Sequence, residues 1–98
     1  MQVKFEPAAE ADLAEAREWY GRQRPGLDVA LMRRVEEALQ RIVSAPHSYP
    51  LAYRQFRRAV LRQFPLAIFY HSTADEIRVF AVYHSRRDRK KLRSRFRF

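Results

Sequence analysis

The first half of the chain repeats apolar residues at the spacing of an α-helix, in two stretches separated by a short break. The first predicts a helix over about residues 8–23, with Pro7 at its start, where a missing amide hydrogen costs nothing. The second predicts a helix over Leu27–Ser44, which Pro46 ends because the residue before a proline avoids the helical region. The interruption Arg24-Pro25-Gly26 is short enough for the two helices to form an αα-hairpin. The apolar stripes are Ala9, Leu13, Ala16 and Tyr20 in the first helix and Leu31, Val35, Leu39 and Ile42 in the second.

From Tyr53 onward the pattern changes to alternation between neighbouring residues, which is typical of β-strands. It predicts strands over Tyr53–Leu61, Leu66–Tyr70 and Ile77–His84, and a short edge strand over Gln2–Phe5. Leu66–Tyr70 is apolar on both faces, which indicates the centre of a sheet. Alternation along the last strand would place Ile77, Val79, Ala81 and Tyr83 on one face, and Arg78, Phe80, Val82 and His84 on the other.

The order of the predicted elements is β-α-α-β-β-β, followed by a basic C-terminal tail over residues 85–98. The economical arrangement is an α+β fold in which a small antiparallel sheet carries the αα-hairpin on one face. The length of 98 residues, without a repeat or an internal boundary, predicts a single domain over residues 1–98.

Charge is divided unequally along the chain. Residues 54–98 contain 13 Lys and Arg against 3 Asp and Glu, whereas residues 1–53 contain 7 against 8. The second half therefore predicts an anionic partner, such as nucleic acid, a membrane surface or an acidic protein. Cysteine is absent, which excludes disulfides, thiolate catalysis and Cys-ligated metal sites. No apolar run approaches the ~18 residues that span a membrane, and no signal peptide is visible, so we expect a cytoplasmic protein without a membrane partner.

A succession of short elements runs through the chain in a definite order. They are Ala11-Asp12-Leu13, Trp19-Tyr20, Gln23-Arg24-Pro25-Gly26-Leu27, Pro46, Tyr49-Pro50, Arg57-Arg58, Phe64-Pro65, Ile68-Phe69-Tyr70, and Ala81-Val82-Tyr83-His84 leading to Arg86-Arg87-Asp88. No single element is specific, but their order and spacing resemble the RelE/ParE superfamily of bacterial toxins, and the ParE-like branch more closely. The chain departs from that pattern afterwards, where Arg89-Lys90-Lys91-Leu92 stands in place of a proline and a tryptophan found in many ParE-like chains.

The resemblance implies the toxin of a type II toxin–antitoxin module, neutralised by a cognate antitoxin in a hetero-oligomer. ParE-like members are linked to inhibition of DNA gyrase and need no nuclease centre, so this branch implies a binding-type inhibitor without a cofactor. RelE-like members cleave messenger RNA on the ribosome, which keeps an endoribonuclease as the alternative. A basic nucleic-acid-binding domain without toxicity is a further alternative. The basic second half predicts that the antitoxin segment is acidic.

Candidate site residues lie on the last strands and at the start of the tail. A nuclease needs an acid or base and cations that hold the phosphate, for which the candidates are His84, Arg58, Arg62 and Arg86. Contacts with the target or the antitoxin are expected from Arg57, Arg58, Arg62, Tyr83, His84, Arg86 and Arg87. Arg57 and Arg58 are neighbours in a strand and should point to opposite faces. Tyr83 and His84 can enter one cleft only if the strand ends or bulges there.

Other conspicuous side chains are predicted to serve the fold. Trp19 and Tyr20 lie on or beside the apolar stripe of the first helix and are expected in the core. His47 and His71 are expected to be structural, and three isolated histidines without nearby carboxylates predict no metal site. Phenylalanine alternates with arginine over residues 92–98, which suits stacking on nucleic acid, strand addition to a partner, or a terminal strand of this protein.

Overall fold

The computed structural model describes residues 1–84 and 93–95. Two helices lie on one face of a five-stranded sheet, which confirms the predicted α+β fold with an αα-hairpin on the sheet. The elements are β1 (Gln2–Phe5), α1 (Pro7–Gln23), α2 (Leu27–Ser44), β2 (Leu51–Tyr53), β3 (Phe56–Val60), β4 (Leu66–Ser72) and β5 (Glu76–His84). The strand order across the sheet is β1-β5-β4-β3-β2, and a helical turn covers residues 93–95.

The break between α1 and α2 reverses the chain within a few residues. The Arg24 amide donates to the Tyr20 carbonyl at 3.2 Å and ends α1, and the Leu27 amide donates to the Arg24 carbonyl at 3.1 Å. Gly26 has a φ of 95°, in the left-handed region that glycine enters without steric cost. The two helices therefore form the αα-hairpin that the sequence predicted.

The direction of β1 departs from the predicted antiparallel sheet. β1 pairs in parallel with β5, with Val3 opposite Ile77, while the remaining neighbouring strands pair antiparallel. Two helices separate β1 from the other strands, so no hairpin turn dictates its direction. The predicted antiparallel pairing is therefore confirmed for β2 to β5 and wrong for β1. β1 as an edge strand and Leu66–Tyr70 as part of the central strand are confirmed.

The predicted strand Tyr53–Leu61 begins with a tight hairpin. β2 ends at Tyr53 and β3 begins at Phe56, so only Arg54 and Gln55 lie between the two strands. Arg54 has a φ of 50°, in the left-handed region, which helps the chain to reverse. No glycine, proline or asparagine marks this turn, and the alternating pattern therefore reads as one strand.

A bulge interrupts the pairing of β4 with β5. Phe69 lies opposite Ala81, and the next residue, Tyr70, lies opposite Val79. Phe80 is thus an extra residue on β5, opposite none on β4.

The bulge changes which side chains of β5 share a face. Ile77 and Val79 belong to the helix-facing core, and beyond the bulge Val82 takes that place. Ala81 and Tyr83 instead belong to a cluster on the opposite face. The prediction that Ile77, Val79, Ala81 and Tyr83 share one face is therefore wrong, because one inserted residue inverts the alternation.

The core has two parts, one on each face of the sheet. The larger lies between the sheet and the helices, whose buried residues include Leu13, Leu31 and Ile42. Burying a large apolar side chain contributes roughly 1.5–3 kcal/mol to the free energy of folding, so both parts stabilise the sheet. The smaller part consists of Phe56, Ala67, Phe69, Ala81 and Tyr83, all of them buried.

Candidate functional site

The edge of β5 is uncovered beyond the point where β1 ends. β1 pairs with β5 only as far as Val79, and the following backbone groups need other partners. Asp12, from α1, accepts a hydrogen bond at Oδ2 from the Val82 amide at 3.0 Å. Arg95 donates through Nη1 to the Phe80 carbonyl oxygen at 3.3 Å. Side chains from α1 and from near the end of the chain thus cap the strand edge.

Asp12 and Arg95 also bind each other. Arg95 donates to both carboxylate oxygens, with Nη1 2.6 Å from Oδ2 and Nη2 3.1 Å from Oδ1. The guanidinium carbon lies 4.7 Å from the centroid of the Tyr83 ring, which is a favourable cation–π distance. Burial works to lower the pKa of Arg95, but the hydrogen bond and charge of Asp12 outweigh it and raise that pKa. Arg95 therefore stays charged while it ties residues 93–95 to α1 and β5.

A cleft of about 350 Å³ lies between α1 and the end of β5. Tyr83 and His84 both line it. As neighbours in a strand they could enter one cleft only if the strand ends or bulges there, and β5 ends at His84. Arg22 also lines the cleft and is paired with Glu18 at 2.8 Å. His84 thus shares its cleft with one arginine, which is paired with a carboxylate, whereas a phosphate site needs cations that are free to bind. The carboxylates that line the cleft are Asp12, Glu15 and Glu18.

The two aromatic residues of α1 have different surroundings. Tyr20 packs edge-on against Phe64, with ring centroids 4.9 Å apart, which confirms that it joins the core. Trp19 lines the cleft and keeps 49% of its surface exposed. The prediction of a core position for Trp19 is therefore wrong, because it lies one residue away from the buried stripe. An exposed tryptophan in a cleft is suited to contact with a partner.

Arg57 serves the connector between α2 and β2. Its Nη1 donates to the Tyr49 carbonyl oxygen at 2.6 Å and to the His47 carbonyl oxygen at 3.3 Å. Beside it, the Tyr70 hydroxyl donates to the Pro46 carbonyl oxygen at 2.6 Å. Burial raises the pKa of Tyr70 to about 12, although the nearby Arg57 charge works in the opposite direction. These bonds hold the proline-rich connector against the sheet.

Arg58 lies on the other face of β3. Its position opposite Phe69 places it on the face of the smaller core cluster, while Ala59, the next residue, joins the helix-facing cluster. The prediction that Arg57 and Arg58 point to opposite faces is confirmed by this alternation. The two side chains therefore leave β3 on opposite faces of the sheet.

Arg62 lies in the turn between β3 and β4 and lines a separate cavity of about 400 Å³. The other lining residues all come from the second half of α2, and one of them, Arg41, brings a second guanidinium group. Sequence reasoning missed Arg41, because an arginine in the last turn of a helix is typical of a solvated helix end. The full lining is Glu37, Gln40, Arg41, Ser44 and Arg62.

The remaining histidines have local contacts. The His71 ring lies edge-on to Phe56, with centroids 6.2 Å apart, at the end of the central strand. His47 contributes its carbonyl oxygen to Arg57. Both contacts agree with the predicted structural roles of these residues.

The predicted site residues thus lie in several places. His84 and Tyr83 line the cleft beside α1, Arg58 lies on the face of the smaller core cluster, and Arg62 lines the cavity beside α2. Arg86 and Arg87, together with most of the predicted tail, lie outside the described residues. Sequence reasoning also missed Asp12 and Arg95 as a pair, since no pattern links positions so far apart.

Two kinds of feature are absent from residues 1–84 and 93–95. No group of three or more His, Cys, Asp or Glu is arranged to hold a metal ion. Neither helix combines the length and the apolar character needed to cross a bilayer.

Comparison with known proteins identifies relatives in sequence and in fold. Residues 3–89 match the family described as "ParE toxin of type II toxin-antitoxin system, parDE". A solved structure described as "Chromosomal ParDE TA system from P. aeruginosa" superposes with a TM-score of 0.74 at 17% sequence identity. The match covers 86% of this chain and 95% of that chain, so the two share a fold along most of their length. Among curated proteins, no sequence matches this chain.

Proposed function

Because the chain belongs to the ParE toxin family of type II toxin–antitoxin systems, we propose that it inhibits DNA gyrase by binding to it and that a cognate acidic antitoxin neutralises it. Gyrase works on DNA in the cytoplasm, so the proposal places the chain there. The toxin and antitoxin would form a hetero-oligomer, in line with the toxin–antitoxin system described for the structural neighbour.

We favour a binding mechanism over RNA cleavage because the predicted acid, base and phosphate-holding residues lie apart. Cleavage of RNA needs a proton-transferring group and cations that converge on one phosphate. His84 instead lines a cleft whose arginine, Arg22, is paired with Glu18, while Arg62 lines a different cavity. Arg57 is occupied by backbone carbonyl groups. Within the described part of the chain, this arrangement favours binding over nuclease chemistry.

A supercoiling assay tests the proposal. Relaxed plasmid, gyrase and ATP are mixed with increasing amounts of the purified chain, and the expected result is a progressive loss of supercoiled product. The His84→Ala variant should still inhibit, because a binding mechanism does not need the imidazole for proton transfer. Undisturbed supercoiling, combined with cleavage of a ribosome-bound message that His84→Ala abolishes, would replace the proposal with the endoribonuclease alternative.

The antitoxin part of the proposal rests on charge. Residues 54–98 hold 13 Lys and Arg against 3 Asp and Glu, so an acidic segment would be drawn to them over a long range. The expected partner is the product of a short, acidic, adjacent reading frame. Salt should slow its association far more than it speeds its dissociation. Trp19, the single tryptophan, lies exposed in the cleft and offers a fluorescence signal for this measurement.

A further inference from the structure

The cavity beside α2 contains two positive charges without a partner in the described part of the chain. Arg41 and Arg62 line it, and neither makes an ion pair or hydrogen bond there. The Arg41 Nε group is buried and unbonded. A guanidinium group without an acceptor leaves N–H donors unsatisfied, so an anionic acceptor beside Arg41 would be favoured.

The single carboxylate that lines this cavity is already neutralised. Glu37 accepts hydrogen bonds from Arg34 Nη1 at 3.0 and 3.2 Å. Ser44, also in the lining, directs its hydroxyl to the Gln40 carbonyl oxygen at 3.0 Å. The uncompensated groups that line the cavity are therefore the two guanidinium groups.

The turn that presents Arg62 is held in place. Arg34 Nε donates to Gln63 Oε1 at 3.2 Å, which ties the turn to α2. The Leu61 amide donates to the Leu66 carbonyl oxygen at 2.8 Å and closes the turn, in which Gln63 has a φ of 72°. Arg62 is thus presented from a braced turn, and less conformational entropy is lost when it binds.

We propose that Arg41 and Arg62 bind a carboxylate side chain, Asp or Glu, of an acidic polypeptide partner. The inference rests on the proposed function in one respect, since the partner intended is the antitoxin. A guanidinium group presents parallel N–H donors that match a carboxylate. An isolated pair of cations does not form a track along a nucleic acid, so the site suits a single carboxylate better than a chain of phosphates.

Side-chain NMR of the arginine Nε–H groups tests the proposal with two probes. The probes are a glutamate hexamer blocked at both ends and a thymidine hexanucleotide. The glutamate peptide should shift the Arg41 and Arg62 signals, and the Arg41→Gln/Arg62→Gln variant should bind it about tenfold more weakly. The control Arg17→Gln/Arg33→Gln removes the same charge from exposed helix positions and should change affinity less than about twofold.

Three outcomes would overturn the proposal. The first is that the glutamate peptide leaves the Arg41 signal unmoved. The second is that both double variants weaken peptide binding equally. The third is that the oligonucleotide shifts the Arg41 and Arg62 signals and binds more tightly than the peptide. The supercoiling assay of the parent chain separates this inference from the proposed function, because it measures gyrase inhibition and the peptide titration measures carboxylate binding. If the parent fails to inhibit gyrase while the peptide titration behaves as expected, the proposed function fails and the carboxylate site stands.

Discussion

Asp12 and Arg95 are 83 positions apart in the chain and share two hydrogen bonds, at 2.6 and 3.1 Å. Asp12 at the same time accepts the Val82 amide, so one carboxylate joins α1, β5 and the helical turn at residues 93–95. The pair lies against Tyr83, next to the cleft that contains His84. Stability and the shape of the candidate site therefore depend on the same two side chains.

Replacing either partner of this pair should weaken the fold measurably. Asp12→Asn keeps an acceptor for the Val82 amide but loses the charge that binds Arg95, and we expect a loss of about 1–3 kcal/mol in the free energy of unfolding. Urea denaturation of Asp12→Asn, Arg95→Gln and the double variant gives the coupling energy, expected at about 1–2 kcal/mol. The exposed pair Arg22–Glu18 is the control, since Arg22→Gln should cost at most ~0.5 kcal/mol. Equal losses from Arg22→Gln and Arg95→Gln would show that burial of the pair adds nothing.

Tyr70 should make stability fall at alkaline pH. Its pKa is about 12 in the folded chain against a free value of 10.0, so the folded state holds the phenol proton more tightly. The stabilisation is fully present below pH 10 and is lost as the pH rises toward about 12. Near-UV absorbance should show a late tyrosine ionisation that Tyr70→Phe removes. A parent and a Tyr70→Phe variant that lose stability equally over this pH range would contradict the assignment.

The two glycines should respond in opposite directions to alanine. Gly21 lies inside α1, and a Cβ there would approach Asp28 no closer than 3.5 Å, which is ordinary contact. Gly21→Ala should therefore stabilise the fold by roughly 0.5–1 kcal/mol. Gly26 has open space around it but a φ of 95°, so Gly26→Ala should destabilise by about 1 kcal/mol through backbone strain alone. Thermal unfolding of the two variants checks both signs, and a common sign would contradict one of the two arguments.

Arg57 should prove more important for stability than for binding. Arg57→Gln removes the bonds to the Tyr49 and His47 carbonyl oxygens, and we expect a loss of about 1–2 kcal/mol. Arg33→Gln, an exposed position on α2, is the charge-matched control and should change stability by less than ~0.5 kcal/mol. Gyrase inhibition by folded Arg57→Gln should equal that of the parent. A variant of unchanged stability that no longer inhibits would assign Arg57 to the binding surface instead.

Periodicity predicted the helices well because their stripes of apolar residues are buried by the sheet, and both helix boundaries agree with the structure to within a residue. Periodicity failed where a single residue changes the direction of the chain or the face on which side chains lie. The extra Phe80 inverts the alternation of β5, and nothing in its local sequence announces a bulge. The turn at Arg54 lacks the residues that usually mark a hairpin, and the parallel direction of β1 is a property of the assembled sheet.

The candidate site was predictable only in part for the same reason. Tyr83 and His84 stand out in the sequence as polar aromatic residues at a strand end, and the structure brings them into one cleft. The carboxylates that line the same cleft belong to α1, and Arg95, which binds one of them, follows β5 in the chain. Contacts of this kind are tertiary, so no local pattern encodes them. Alternation along β3 separated Arg57 from Arg58 correctly, but the structure was needed to show that Arg57 binds carbonyl oxygens of the connector.

The parallel pairing of β1 with β5 has a consequence for synthesis of the chain. Among the described strands, β1 is the first to leave the ribosome, and its one partner is the last to be made. The helices can form and pair early because their contacts are local, but β1 has to wait for Glu76 and the residues after it. A chain cut short before Glu76 therefore lacks two strands of the sheet, the missing β5 and an unpaired β1, and the edge that Asp12 caps never forms.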